Sequence, residues 1–176
     1  MNIGEEIVYE YLHRIIGCDD VDDNVELSSN GGEIDLIGIK GDTIFLCEVA
    51  THINGLRYTH NGNTRNNLVA KFERIREFVS GKNSPYYKKF KPRYMFFSPV
   101  VRISKSEKVK NKLPSDLLEA QKILKREKIN LEFYINEDFY AIIDELREIA
   151  KGIKSEIKTP VMRLLQIESR RHKTKE

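Results

Sequence analysis

Apolar positions near the start of the chain recur with a helical period, so Val8, Leu12, Ile15 and Ile16 share one stripe and predict a helix over about 3–16. The polar run GCDDVDDN at 17–24 predicts a turn. Short strands are then expected at about 25–28, 33–39 and 43–50, the last two joined by a hairpin at Lys40-Gly41-Asp42. Their apolar content (Ile34, Leu36, Ile37, Ile39; Ile44, Phe45, Leu46, Val49) suits a largely buried sheet. Thr51 to Thr64 is polar and long for a connection, which points to a functional segment. Thr64 is a candidate cap for a helix over about 65–80, with Leu68, Phe72, Ile75 and Val79 as its core stripe and Gly81 as its end. A strand at Tyr94-Met95-Phe96-Phe97 follows, then a basic, poorly periodic loop at 101–114. Ser115, after Pro114, is a candidate cap for a helix over about 115–127. A strand at 131–135, a helix over 137–152 and a last helix from Val161 to Ser169 complete the order. Strands alternating with helices in this way predict an α/β sandwich on a mixed sheet. Residues 1–152 are expected to form the domain, and 153–176 a C-terminal helical extension with a basic tail.

Composition narrows the class. With 176 residues the chain suits one domain, and no run approaches the ~20 apolar residues that cross a bilayer. The first residues carry acids where a secretory leader carries bases, so a cytoplasmic protein without a membrane partner is expected. Two cysteines, Cys18 and Cys47, without a CxxC pair argue against a disulfide scaffold and a structural zinc site. The net charge of +3 divides unevenly: residues 1–50 carry −10 and residues 51–176 carry +13. An acidic third able to bind cations is followed by a basic remainder able to bind polyanions, although any single charge run is as readily a solvated face.

Two acids stand out against apolar strands: Asp35 in Gly32-Glu33-Ile34-Asp35-Leu36-Ile37 and Glu48 in Phe45-Leu46-Cys47-Glu48-Val49-Ala50. A buried, unpaired carboxylate is costly, and two on adjacent strands repel unless a cation lies between them. Carboxylate oxygens are the hard ligands that Mg²⁺ or Mn²⁺ takes. The bland alternative is that both acids cap turns or pair with bases at a sheet edge. Glu33 shares a face with Asp35 but sits at a strand end, where solvent exposure is expected. Glu5 falls on the apolar stripe of the first helix while Glu6 and Glu10 fall off it; an acid so placed needs a metal shell, a water network or a base.

Gly4-Glu5-Glu6 with Tyr11-Leu12, then GEIDLI, then GDTIFLCEV, resembles the PD-(D/E)XK nuclease superfamily. The likeness is to small bacterial nuclease-like proteins related to archaeal Holliday-junction resolvases, and it covers about residues 4–80. It implies a restriction-endonuclease-like sandwich with a central mixed β-sheet flanked by helices in an αβββαβ core. It implies Mg²⁺ or Mn²⁺ held by Asp35 and Glu48, the Val49 backbone carbonyl and Glu5, and a DNA substrate. It also exposes a departure, because Ala50 stands where such proteins place a lysine two residues after the glutamate. Lys71, on the inward side of the helix after that strand, is where related proteins carry a migrated lysine; a snorkelling lysine is the other reading.

Arg57, Tyr58 and Arg65 adjoin this acidic region in the chain and are expected to engage substrate. Lys82, Lys88, Lys89, Lys91, Arg93, Arg102, Lys105, Lys108, Lys110 and Lys112 are expected to meet backbone phosphates. His52 is a further base or ligand if the strand extends that far, and His60 reads as a loop histidine. The function expected is a metal-dependent DNA endonuclease. Its rivals are a catalytically degenerate nucleic-acid-binding module, a sequence-specific restriction-type enzyme and an RNA-processing enzyme. An apolar face on the last helix (Val161, Leu164, Leu165) makes a homodimer conceivable.

Overall fold

The computed structural model describes residues 1–27, 32–51, 63–81, 85–101 and 113–171. His52, Arg57, Tyr58, His60, Lys82, Arg102, Lys105, Lys108, Lys110 and Lys112 lie outside these. The first helix, α1 (Ile3–Glu10), runs straight into a wider π-helical turn over Tyr11–Ile16, which Gly17 ends at φ 74. Then come β1 (Asp20–Glu26), β2 (Glu33–Lys40), β3 (Thr43–Val49), α2 (Asn63–Ser80), β4 (Lys91–Ser98), α3 (Ser115–Arg126), β5 (Leu131–Ile135), α4 (Glu137–Gly152) and α5 (Pro160–Arg171). A single 3-10 turn at Tyr87–Lys89 leads into β4.

The strands form one sheet in chain order, β1 to β5. The β1–β2 and β2–β3 pairs are antiparallel, while β3–β4 and β4–β5 are parallel, with α2 and α3 as the crossover helices. Alternation along β3 sends Phe45 and Cys47 to one face and Ile44 and Leu46 to the other. On the first face α1, the π turn, α4 and α5 pack through residues such as Val8, Leu12, Phe139, Leu146 and Met162. On the second, α2 and α3 pack through Leu68, Phe72, Ile75, Leu117 and Leu124. The chain is thus an α/β protein with a five-stranded mixed open sheet between two helical layers.

Several boundaries move from their sequence expectation. Residues 20–24 are strand rather than turn: Asp20 pairs with Ile39, and the ladder runs on to Glu26 opposite Glu33. Asp20, Asp22 and Asp23, which suggested a turn, are exposed on this edge strand, as is Glu26 at its end. β4 starts at Lys91, since its first residues are lateral partners of Thr43 and Phe45. α2 begins at Asn63, so Thr64 falls inside its first turn instead of capping it. Pro114 occupies the cap position of α3, and Ser115 is the first helical residue. Glu10 is buried, not on the outer side, because Arg14 one turn on pairs with it. The expected boundary at 152 falls between two helices that pack on each other. Val161, Met162 and Leu165 of α5 belong to the same apolar cluster as α1 and α4, so the core uses two of the three residues read as a dimer face. Leu164 remains exposed. Gln166, buried on α5, reaches back to the segment before that helix, accepting from Ile157 N and donating to Ile153 O and Ser155 O. Among the described residues no helix is long and apolar enough to cross a membrane.

The N-terminus of α1 is held against the end of β3. Asn2 caps the helix through Gly4 N and Glu5 N, and the Glu5 carboxylate returns a bond to Asn2 N at 2.8 Å. A Cβ on Gly4 would stand 1.9 Å from the Thr51 Cγ2, so only glycine lets helix and strand end approach this closely. Gly4→Ala is expected to cost about 1–3 kcal/mol by overpacking, read from the denaturant midpoint. Thr51→Ser in the same chain, which removes that methyl, should return part of the loss.

Candidate functional site

Local register brings the two strand acids together. The β2–β3 ladder ends with Leu36 opposite Cys47, and Asp35 and Glu48 are the next residues beyond that pair on their two strands. Asp35 is 7% exposed, and its Oδ2 accepts from Val49 N at 2.6 Å. The Glu48 and Asp35 carboxyls are close enough to interact directly, which raises the Glu48 pKa. Burial is the largest influence on both and raises both pKa values. For Asp35 the Val49 N–H and the Lys71 charge pull back. Glu48 is pushed up to about 7, first by burial and then by the Asp35 charge, against the opposing charge of Lys71.

Lys71 comes from α2, which lies across the second face of the sheet. Its Nζ stands 2.6 Å from Glu48 Oε2. The approach lies off a hydrogen-bond direction, so this buried oxygen has charge compensation but no aligned donor among the described residues. A buried, unaligned carboxylate oxygen beside a second carboxylate suits a hard cation. Among the described residues no set of three or more His, Cys, Asp or Glu side chains gathers for a metal. An ion here would therefore complete its shell from water, substrate or the adjacent Val49 carbonyl. Glu5 is near enough for its charge to raise the Asp35 pKa, but its own oxygens are engaged with Asn2 at the helix start.

A cavity of about 330 Å³ opens beside the Glu48–Lys71 pair. Ala50, Leu68, Phe96 and Leu117 give it apolar walls, and Thr64, Asn67, Lys71 and Arg74 line it from α2. Position 50, where the resemblance expects a lysine, is thus a small apolar part of this wall; the ammonium group reaches Glu48 from the helix instead. Sequence reading stopped at Lys71. The signal for the rest of the wall was present in the spacing of 64, 67, 71 and 74, which places four polar residues on one helical stripe.

Of the expected basic residues, those among the described residues do not gather here. Lys88 and Lys89 lie on the 3-10 turn, and Lys91 pairs laterally with Thr43, five residues along β3 from Glu48, or roughly 16 Å at strand rise. Lys89 lies over the Tyr86 ring at 4.4 Å, and Lys91 pairs with Asp42 at 2.5 Å. Arg93 serves the opposite face: its Nε and Nη2 meet the two Glu132 oxygens at 2.9 and 2.6 Å, and its guanidinium lies over Phe45. Arg65 turns to Glu119 at 2.7 Å. A second cavity, of about 450 Å³ beside Tyr11, Glu132 and Tyr134, contains none of the expected metal ligands.

Comparison with family models, curated proteins and solved structures finds no match.

The raised Glu48 pKa has a definite sign. A carboxyl whose folded pKa exceeds its unfolded value binds its proton better when folded, so stability falls as pH climbs from about 4.5 to about 7. Metal-free protein should lose denaturant resistance across this window more steeply than Glu48→Gln, which cannot ionise. Parallel pH profiles for the two chains would contradict the assignment.

Proposed function

We propose that the chain is a divalent-metal-dependent nuclease that hydrolyses phosphodiester bonds in DNA, built on the restriction-endonuclease plan. The observation that carries this reading is the convergence of Asp35, Glu48 and Lys71 from two adjacent strands and the following helix, with Glu48 and Lys71 lining one cavity. The resemblance of GEIDLI and GDTIFLCEV to PD-(D/E)XK proteins supports it, as does a mixed sheet flanked by helices on both faces.

Asp35 and Glu48 would hold Mg²⁺ or Mn²⁺, with the Val49 carbonyl and water, while Glu5 adds negative charge from the helix start. Such an ion supplies Lewis acidity to a phosphate oxygen and lowers the pKa of water. The protein's own residues do the rest. Val49 N fixes the Asp35 carboxylate. Lys71 offsets the paired acids and, as a cation beside them, can support charge that develops on the phosphate. The apolar walls keep bulk water from the acids and strengthen each charge interaction. In the reaction a water oxygen forms a bond to phosphorus and an ester oxygen leaves. One water proton ends on the leaving alcohol, and the phosphate keeps the new oxygen.

A second reading keeps the fold and loses the chemistry, leaving a module that binds nucleic acid. Ala50, a methyl where a strand lysine is expected, favours it. A cytoplasmic location and DNA as partner, rather than RNA, belong to the first reading.

Incubation of the chain with plasmid, branched and single-stranded DNA, and with RNA as competitor, at graded Mg²⁺ and Mn²⁺ decides between them. Asp35→Asn and Glu48→Gln are each expected to abolish cleavage and to leave DNA affinity within about threefold. Lys71→Ala should slow cleavage by about 10²-fold, the scale of one lost electrostatic stabiliser. Persistent binding by the unaltered chain without cleavage in either metal would favour the binding module.

A further inference from the structure

We propose that the cavity beside Glu48 receives one unpaired nucleobase, so that the substrate is single-stranded or locally unpaired DNA rather than intact duplex. The inference rests on the phosphodiesterase reading above and names its substrate class. It starts from position 50. Ala50 N donates to Phe97 O at 2.9 Å, and Ala50 O accepts from Ser98 Oγ at 2.8 Å, so this residue continues the β3–β4 bonding past Val49. Two residues on from Glu48, its side chain shares the Glu48 face, and both line the cavity of about 330 Å³. A long side chain at position 50 would run into that space. The methyl group leaves it open directly beside the acid.

The chemistry of the lining matches a base better than a phosphate. Phe96, the lateral partner of Glu48, contributes apolar surface together with Ala50, Leu68 and Leu117. Both cations of the lining are engaged within the protein: Lys71 with Glu48 at 2.6 Å, and Arg74 through Nε with Ala70 O at 3.3 Å. A nucleobase has an apolar face for such walls and a polar edge for Asn67, whose exposed amide both donates and accepts. The volume is at the small end of ligand sites, room for one ring system and not for a stacked duplex. A base is joined to its flanking phosphates through a single sugar, so a base seated here sets a phosphodiester next to the acid pair. Turning a base out of a paired stack is costly, and a base already unpaired avoids that cost, so the cavity selects unpaired strand.

The test uses the full chain, with Ca²⁺ in place of Mg²⁺ for binding and Mn²⁺ for cleavage. Kd is measured for a short DNA single strand, its matched duplex, and an abasic strand of equal length, which keeps the phosphates and lacks the bases. The single strand is expected to bind about tenfold more tightly than either of the others, the scale of one base–aromatic contact. Ala50→Leu, which fills the cavity, should remove the advantage of the single strand over the abasic strand and leave abasic-strand affinity within about twofold. Equal affinity of the unaltered chain for single strand and abasic strand, or an advantage undiminished in Ala50→Leu, would overturn the inference. Should Ala50→Leu melt below the assay temperature, Ala50→Val, a smaller filler, takes its place under the same criterion. A chain that cleaves with Mn²⁺ yet binds strand and abasic strand alike removes the base site and keeps the nuclease. A chain that never cleaves, yet loses its preference on Ala50→Leu, removes the nuclease and keeps the base site.

Discussion

Two carboxylates face each other across a buried β-ladder, and their desolvation is the constraint around which the neighbouring structure is arranged. Neither Asp35 nor Glu48 can shed its charge into water, so each is compensated from the protein. Val49 lends its N–H to Asp35, burial and the Asp35 charge raise the Glu48 pKa, and Lys71 brings a cation from the opposing helix. β3 supplies the Val49 N–H and Glu48, α2 supplies the cation, and β2 supplies Asp35, so the three elements are tied to one point. The compensation is incomplete among the described residues, where one Glu48 oxygen lacks an aligned donor. Incomplete satisfaction of a buried carboxylate is destabilising by itself and is relieved by a ligand that accepts oxygen donors.

The rest of the fold fixes the geometry of that point. The parallel arrangement of β3, β4 and β5 requires crossover helices, and α2 and α3 cover the face on which Glu48 projects. On the other face α1 is pressed to the end of β3 by the Gly4–Thr51 contact, so the Glu5 charge reaches Asp35 although the Glu5 oxygens serve the helix cap. α5 closes the same layer, with Glu6 accepting from Val161 N at its start. The acid pair thus sits where both helical layers meet the ends of adjacent strands.

Much of this was legible in the sequence because period and register are local. GEIDLI and TIFLCEV show acids inside apolar strands joined by a short hairpin, so their approach was legible in the chain, while the exact register comes from a two-residue turn at Gly41-Asp42, because Lys40 belongs to the ladder opposite Thr43. Lys71 followed from its place on the inward side of a helix. What escaped depended on long-range packing. β1 looked like a turn because an edge strand with exposed acids lacks the apolar alternation of a buried one. Glu10 looked solvent-facing because the wider π turn after it changes which positions point inward, and because its Arg14 partner sits in that turn. The basic residues near 88–93 are close to the site in sequence but lie toward the opposite end of the parallel ladder, a fact that only the β3–β4 register reveals.

The acids of β1 have a further effect on how the molecule meets its own kind. A sheet margin exposes unpaired backbone groups that invite a neighbouring chain to continue the ladder. A second copy laid along β1 would bring Asp20, Asp22, Asp23 and Glu26 against the same four side chains, and like charges in cross-strand positions repel. Lateral growth of the sheet along the strand that most resembled an irregular turn is therefore opposed by electrostatics.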